Sequence, residues 1–304
     1  MRPEFSVDRI RRFGSQEIFP MRSLLLAALL PLFLLLIPNS AQAQLVMKGL
    51  EVGPWAGASF YLGDLNTNWR VNQPNFAGGF AARYNFNNRV STRLAFNYGH
   101  VEAYDSDSQN PFERIRNLSF QSDIFEGTGQ VEFNFLPYIH GSYDYFFTPY
   151  VFAGVTVFNF NPKTETDDGV LVNLQELGTE GQLRGQEYLT LSTALAYGIG
   201  IKWDITYEWS MDLFISARNT NTDYLDDVST VYPDQSDLSR SRGPLAIELY
   251  DRSLDEGDLG GRDREGEQRG DDTNKDNYFF VGLGINYYFG DVRCPRVNSK
   301  RRRR

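Results

Sequence analysis

Residues 277–290 read N-Y-F-F-V-G-L-G-I-N-Y-Y-F-G, and this stretch limits the possible folds more sharply than any overall property of the chain. Its odd positions Phe279, Val281, Leu283, Ile285, Tyr287 and Phe289 are bulky and apolar. Its even positions Tyr278, Phe280, Gly282, Gly284, Asn286 and Tyr288 are small, polar or aromatic. Successive side chains of a strand point to opposite faces, so one face here is greasy and the other can line an interior. A helix would scatter both sets around its circumference. Aromatics flanking an apolar band, with glycine on the opposite face, are what a strand of a membrane-spanning β-barrel requires.

The alternation recurs. Leu50, Val52, Ala56, Ala58 and Phe60 interleave with Glu51, Gly53, Gly57 and Ser59, although Pro54 and Trp55 blur the middle. Phe76, Phe80, Ala82, Tyr84 and Phe86 form a second strand, and Val90, Leu94, Phe96 and Tyr98 a third, with a hairpin turn at Asn87 and Asn88. Phe125, Val131, Phe133 and Phe135 mark a fourth. Residues 148–159 are apolar on both faces, so the inward side of this fifth strand stays open. Leu189 to Trp203 and Trp209 to Ala217 alternate as a sixth and seventh strand, and 277–290 is the eighth. The reading is an all-β, eight-stranded antiparallel transmembrane barrel of the outer-membrane type. Long polar loops follow strands one, three, five and seven, and short turns follow two, four and six, which puts the termini in the periplasm. The longest loop, 220–276, becomes almost entirely charge and glycine after 255, a composition that predicts mobility.

Mean hydropathy is −0.42, as for a soluble protein. A barrel accommodates this, because only alternate strand residues must be apolar. Before the strands, 24–37 is an apolar run preceded by Arg22 and followed by Ala41-Gln42-Ala43. This is the layout of a secretory signal peptide over 21–43, cleaved near Ala43/Gln44, with 1–20 an extension or a mis-assigned start. The mature barrel is then 44–290, in the cell outer membrane and in contact with its lipid, with a basic periplasmic tail at 291–304. The net charge of −9 argues against nucleic acid, and the single Cys294 excludes an internal disulfide framework or a Cys-rich zinc site.

The polar face places Glu51, Glu126, Glu132 and Asp212 in the lumen against Arg83, Arg93, Lys202 and Arg218. Buried charges are costly unless paired, so a balanced ionic network that closes a narrow lumen is expected, without specified pairings. The alternative is a selectivity ring in a narrow porin. His100 lies near Glu102, Ser106 and Ser108, but nothing fixes a nucleophile–base geometry, and it reads as an interfacial imidazole. His140 reads as an exposed turn residue. Residues 272–276 look like half of an EF-hand loop, yet its twelfth position would be Leu283, so they read as a solvated loop. Asp223, Asp226, Asp227, Asp234 and Asp237 read as an acidic loop without metal. No enzyme activity, cofactor or metal is expected. The compact connection carrying Tyr138, Tyr143, Tyr145 and Phe146 is a candidate periplasmic contact surface.

Three segments form a recognisable set: Y-L-G-D-L at 61–65, R-N-L-S-F at 116–120, and T-D-Y-L-D-D-V-S-T at 222–230, of which Thr222, Asp223, Tyr224, Leu225, Asp226 and Asp227 are the most distinctive part. With the last strand, they resemble the PorG-like family of small outer-membrane barrels associated with the type IX secretion system. The resemblance implies a non-enzymatic barrel that anchors a periplasmic ring formed by the lipoprotein PorK and by PorN. The charged insert before the last strand and the basic tail depart from that pattern. A general envelope or adhesion barrel is the alternative.

Overall fold

A computed structural model describes residues 48–254 and 264–290. The expected signal peptide over 21–43, its expected cleavage point and the 291–304 tail, with Cys294, lie outside the described residues. The strands in chain order are β1 (Gly49–Leu62), β2 (Asn75–Asn85), β3 (Val90–Tyr104), β4 (Ser119–Asn134), β5 (Phe147–Asn159), the short β6 (Pro162–Glu165) and β7 (Leu171–Asn173), then β8 (Leu191–Asp204), β9 (Trp209–Thr220) and β10 (Asn277–Phe289). The eight long strands pair antiparallel in sequence, β5 meeting β8 across the short pair, and β1 meets β10 to close the ring. The structure is therefore a closed eight-stranded antiparallel barrel. A closed ring leaves no unpaired strand edge, as a bilayer demands.

The apolar set faces outward. Leu94, Phe96, Val155, Ile199, Leu213 and Leu283 are all exposed, Phe96 to 77%. Outward aromatics gather in two tiers. Near the short turns, Trp209 packs on Tyr287 at 5.1 Å and Tyr84 on Phe86 at 5.1 Å; near the long loops, Phe60 stacks on Phe279 at 4.7 Å and Tyr98 meets Phe125 at 5.2 Å. At ~3.3 Å per residue and a tilt of ~40°, the run from Phe279 to Phe289 spans ~25 Å along the barrel axis, the height of an outer-membrane apolar band. A soluble sandwich or lipocalin-like barrel would bury this set inside.

The fifth strand's inward side is now defined: Thr148, Tyr150, Phe152, Thr156 and Phe158 are buried. Trp55 also points inward, packing edge-on against Phe214 at 5.2 Å. The inner glycines make room for these rings. A Cβ on Gly282 would stand 2.6 Å from both Phe214 and Trp55.

The long loops differ from the expected solvated segments. Residues 105–118 hold a helix, α1 (Pro111–Arg116), begun by the Asn110 side chain accepting from Phe112 N and ended by Asn117 in the left-handed region. The 160–190 loop contains β6 and β7, and β6 extends the edge of β4. The longest loop contributes α2 (Gln235–Arg242) and α3 (Pro244–Tyr250). Leu65, Leu118, Leu174, Leu225, Val228 and Leu249 from four different loops are buried in one core. Within the stretch expected to be mobile, Arg264, Arg269 and Asp276 are buried, while 255–263 lie outside the described residues. Composition misleads here because Arg269 and Asp276 are held by partners distant in sequence, Glu180 and Tyr61, while Arg264 is held nearer by, at Asp251 and Glu267.

Candidate functional site

In the lumen, the inward charges fall into two groups. Near the short turns, Arg83 meets Glu51 at 2.8 Å, Glu132 at 2.7 Å and also Asp212; Arg93 reaches Asp212 at 3.1 Å, and Lys202 reaches Glu132 at 2.6 Å. Tyr150 donates to Asp212 Oδ1 at 2.7 Å. Farther along, Arg218 pairs with Glu126 at 2.6 Å, and Glu126 also accepts from Asn97 at 2.6 Å and Tyr278 at 2.7 Å. Between the groups stand the rings of Trp55, Phe214 and Phe280. All eight charged side chains are buried. Three stacked tiers of this kind fill the bore, and a carboxylate that accepts several charge-assisted bonds tolerates burial that an unpaired one would not.

At the short-turn end, His140 corrects the expectation of exposure, being only 4% exposed. Its Nε2 lies 3.0 Å from Glu51 Oε1 and its Nδ1 2.9 Å from Asp204 Oδ1, and its ring stacks on Tyr288 at 4.1 Å. Burial pulls the imidazole down, but Glu51 and Asp204 outweigh it and lift its pKa to about 9. The turn is thus tied to the barrel floor by a protonated histidine. Tyr138 is likewise no contact residue: it is buried, with its hydroxyl donating to Asp204. Tyr143, Tyr145 and Phe146 are exposed, Tyr143 to 81%. Tyr143 and Phe146 line, with Asp204, Ile205 and Tyr207, a cleft of about 560 Å3.

At the long-loop end, the three distinctive segments converge. Tyr61 packs edge-on against Phe120 at 4.7 Å, and its hydroxyl lies 2.5 Å from Asp226 Oδ2 and 2.9 Å from Asp276 Oδ1. One hydroxyl proton cannot serve both carboxylates. Burial and mutual repulsion among Asp226, Asp276 and Asp64 hold the first two well above the usual carboxylate range, and burial lifts Asp64 to about 7. Arg116 pairs with Asp105 at 2.7 Å and donates to the carbonyls of Asp64 and Arg269, joining three loops. Arg269 meets Glu180 at 3.1 Å and donates to the Asp227 carbonyl at 2.6 Å.

The aspartate-rich segment is therefore structural in its placement. Asp223 accepts from Ser229 Oγ at 2.6 Å; Asp227 accepts from Tyr188 Oη at 2.7 Å and from Thr179. Leu225 N donates to Asp276 Oδ2 at 2.9 Å, Tyr224 stacks on Tyr188 at 4.5 Å, and Thr222 accepts from Tyr224 N. Asp234 caps α2 by accepting from Asp237 N. Among the described residues no group of three or more His, Cys, Asp or Glu is placed to hold a metal ion. Glu180 and Arg269 escaped sequence reasoning because they sit in segments without period; Asp276, in the stretch that reads as a solvated loop, is instead buried; Asp204, just past an alternating run, offered a signal only by its position.

His100 lies on the outward face of β3, its Nδ1 2.9 Å from Asp123 Oδ1, which also accepts from Tyr98 Oη at 2.8 Å. Among the described residues its ring is bonded to Asp123 and not to Ser106 or Ser108.

No curated protein matches the chain. Among solved structures it is similar to the outer membrane protein OprG from Pseudomonas aeruginosa, at 10% identity and TM-score 0.40 over 82% of this chain and 99% of that one. It is also similar to neisserial surface protein A, at 9% identity and TM-score 0.39 over 79% and 97%. Ail, the attachment invasion locus protein of Yersinia pestis, aligns at 11% identity and TM-score 0.37 over 80% and 99%. The barrel assignment rests instead on this chain's own strand pairing and outward apolar band. A family described as a domain of unknown function, DUF6089, matches residues 26–243, more than half of the chain, and the protein belongs to that family.

Proposed function

We propose that the protein is a non-enzymatic, non-conducting barrel of the outer membrane that serves as an anchor for periplasmic partners, with type IX secretion as the process it serves. The filled lumen carries this reading. Three tiers of buried side chains, from the Arg83 cluster through Trp55 and Phe214 to the Arg218–Glu126 pair, leave the exposed ends as the surfaces that can act. At the short-turn end, Tyr143, Tyr145 and Phe146 offer exposed aromatic surface beside a cleft, the kind of group that dominates protein interfaces. The type IX assignment, with PorK and PorN as partners, is supported by the resemblance of the 61–65, 116–120 and 222–230 segments.

The test is crosslinked affinity purification of the wild type and of a variant carrying Tyr143→Ala and Tyr145→Ala. The wild type should recover a periplasmic ring component and the variant at least tenfold less. Recovery of none by either form, with secretion intact after deletion, removes the anchoring role. In planar bilayers the protein should show no steady conductance; a stable ion-selective channel would favour the porin reading.

A further inference from the structure

Loops 63–74 and 105–118 enclose a cleft of about 510 Å3, lined by Thr67, Asn68, Arg70, Gln109 and Asn110. That volume falls within the ~300–1,000 Å3 usual for small-ligand sites. All five lining side chains carry hydrogen-bonding heads, and the amides both donate and accept. Trp69 lies in sequence between Asn68 and Arg70, which line the cleft, and is itself not one of the lining residues. It is 72% exposed and holds φ at 52°, a left-handed conformation that bulky residues rarely adopt.

The loop that carries this indole is tightly stapled. The Asn66 amide donates to the carbonyls of Tyr61 at 2.6 Å and Arg70 at 3.0 Å, and its oxygen accepts from Arg70 N at 2.9 Å. Beneath the cleft, Glu113 is 3% exposed and accepts from Thr67 Oγ1 at 2.7 Å and Asn110 Nδ2 at 3.1 Å, which fixes two lining side chains. A strained backbone kept by such bonding, with a large aromatic left in solvent, is arranged for a ligand rather than for the core.

We propose that this cleft binds a saccharide. A pyranose ring offers a C–H face that packs on an indole, and hydroxyls that pair with amides, a threonine and a guanidinium. A peptide would need apolar side-chain pockets, which the lining lacks. A polyanion would need excess cationic charge, but Arg70 is the cation among the lining residues and Glu113 lies beneath it. The ligand is accordingly an uncharged or weakly charged saccharide. Its source is either the cell's own surface glycan or an external polysaccharide. This inference does not depend on the anchoring reading, which concerns the opposite end.

The test uses the full chain in lipid nanodiscs, titrated calorimetrically with maltohexaose, chitohexaose and mannohexaose, and with oligosaccharide released from the outer leaflet of the producing cell. At least one probe should bind saturably. Trp69→Ala, and separately Asn68→Ala with Gln109→Ala, should weaken that binding at least tenfold, while Trp69→Phe retains it within threefold. Binding by the released oligosaccharide alone would identify the cell's own glycan as the source; binding by a soluble hexamer would identify an external one. Absence of binding by every probe, or binding equal in wild type and both alanine variants, overturns the proposal.

Discussion

In the lumen, Arg83 by itself meets three carboxylates, Glu51, Glu132 and Asp212; in the cap, the core that the four long loops form at their end of the barrel, the carboxyls of Asp226 and Asp276 meet across a single tyrosine hydroxyl. Both regions are buried, yet they neutralise charge differently. The lumen sets cation against anion, so each charge is balanced by a partner on another strand. Around Tyr61 the cap gathers acids, and Asp226 and Asp276 are held well above the usual carboxylate range. The difference suits their surroundings. A lumen flanked by lipid has to be complete as it stands, whereas a cap that meets solvent can exchange protons with it.

The strongest way to break this comparison is to remove the lumen's hub. Arg83→Ala leaves three carboxylates without their shared cation, and loss of one partner in a buried ionic cluster costs about 3–5 kcal/mol. Urea unfolding in lipid should show that loss, and heat-modifiable gel migration should fail. A variant as stable as the wild type would mean the lumen charges are not coupled.

In the cap the matching change is Tyr61→Phe, which keeps the ring on Phe120 but removes the hydroxyl between Asp226 and Asp276. Stranding buried polar groups costs about 1–3 kcal/mol each, so the loops should become protease-sensitive while the barrel keeps its gel behaviour. Equal loss in both regions would show that cap and barrel unfold as one unit.

The smallest effect separates the regions by pH. Asp64 and Asp227 are raised by burial to about 7 and about 6, above their unfolded values. The stability they contribute as neutral acids is complete below pH 3.8 and falls as pH rises through those values. Hydrogen exchange of cap amides should therefore be faster at pH 8 than at pH 5, after correction for intrinsic rates, by about tenfold or ~1.4 kcal/mol. His140 obeys the same sign at the other end. Its protonated form contributes fully below pH 6.5, and that contribution is lost as pH rises through about 9. His140→Gln should abolish that alkaline loosening of the 135–146 turn and leave the cap's response unchanged.

The barrel itself was legible in the chain because a strand's two faces are set by parity alone. From Phe279 to Phe289, a residue's position in the alternation determines whether it meets lipid or lumen, and the same rule places Glu51, Arg83, Glu132 and Lys202 inside. The rule faltered where both faces are apolar, as in β5, whereas Trp55 blurs the residue pattern of β1 yet keeps its parity, facing inward with Glu51 and Ser59. Which charges pair was not legible, because Arg83 meets Asp212 and Glu132 only through strand stagger and ring closure, across 129 and 49 positions. The cap was hidden for a related reason: its loops have no period, and Tyr61 finds Asp276 across 215 positions. His140, Tyr138 and Asp276 looked solvent-bound in composition, and partners remote in sequence bury them. Local alternation is a property of the backbone and can be read from neighbours, whereas the satisfaction of a buried charge depends on which distant groups the closed ring brings within hydrogen-bonding reach.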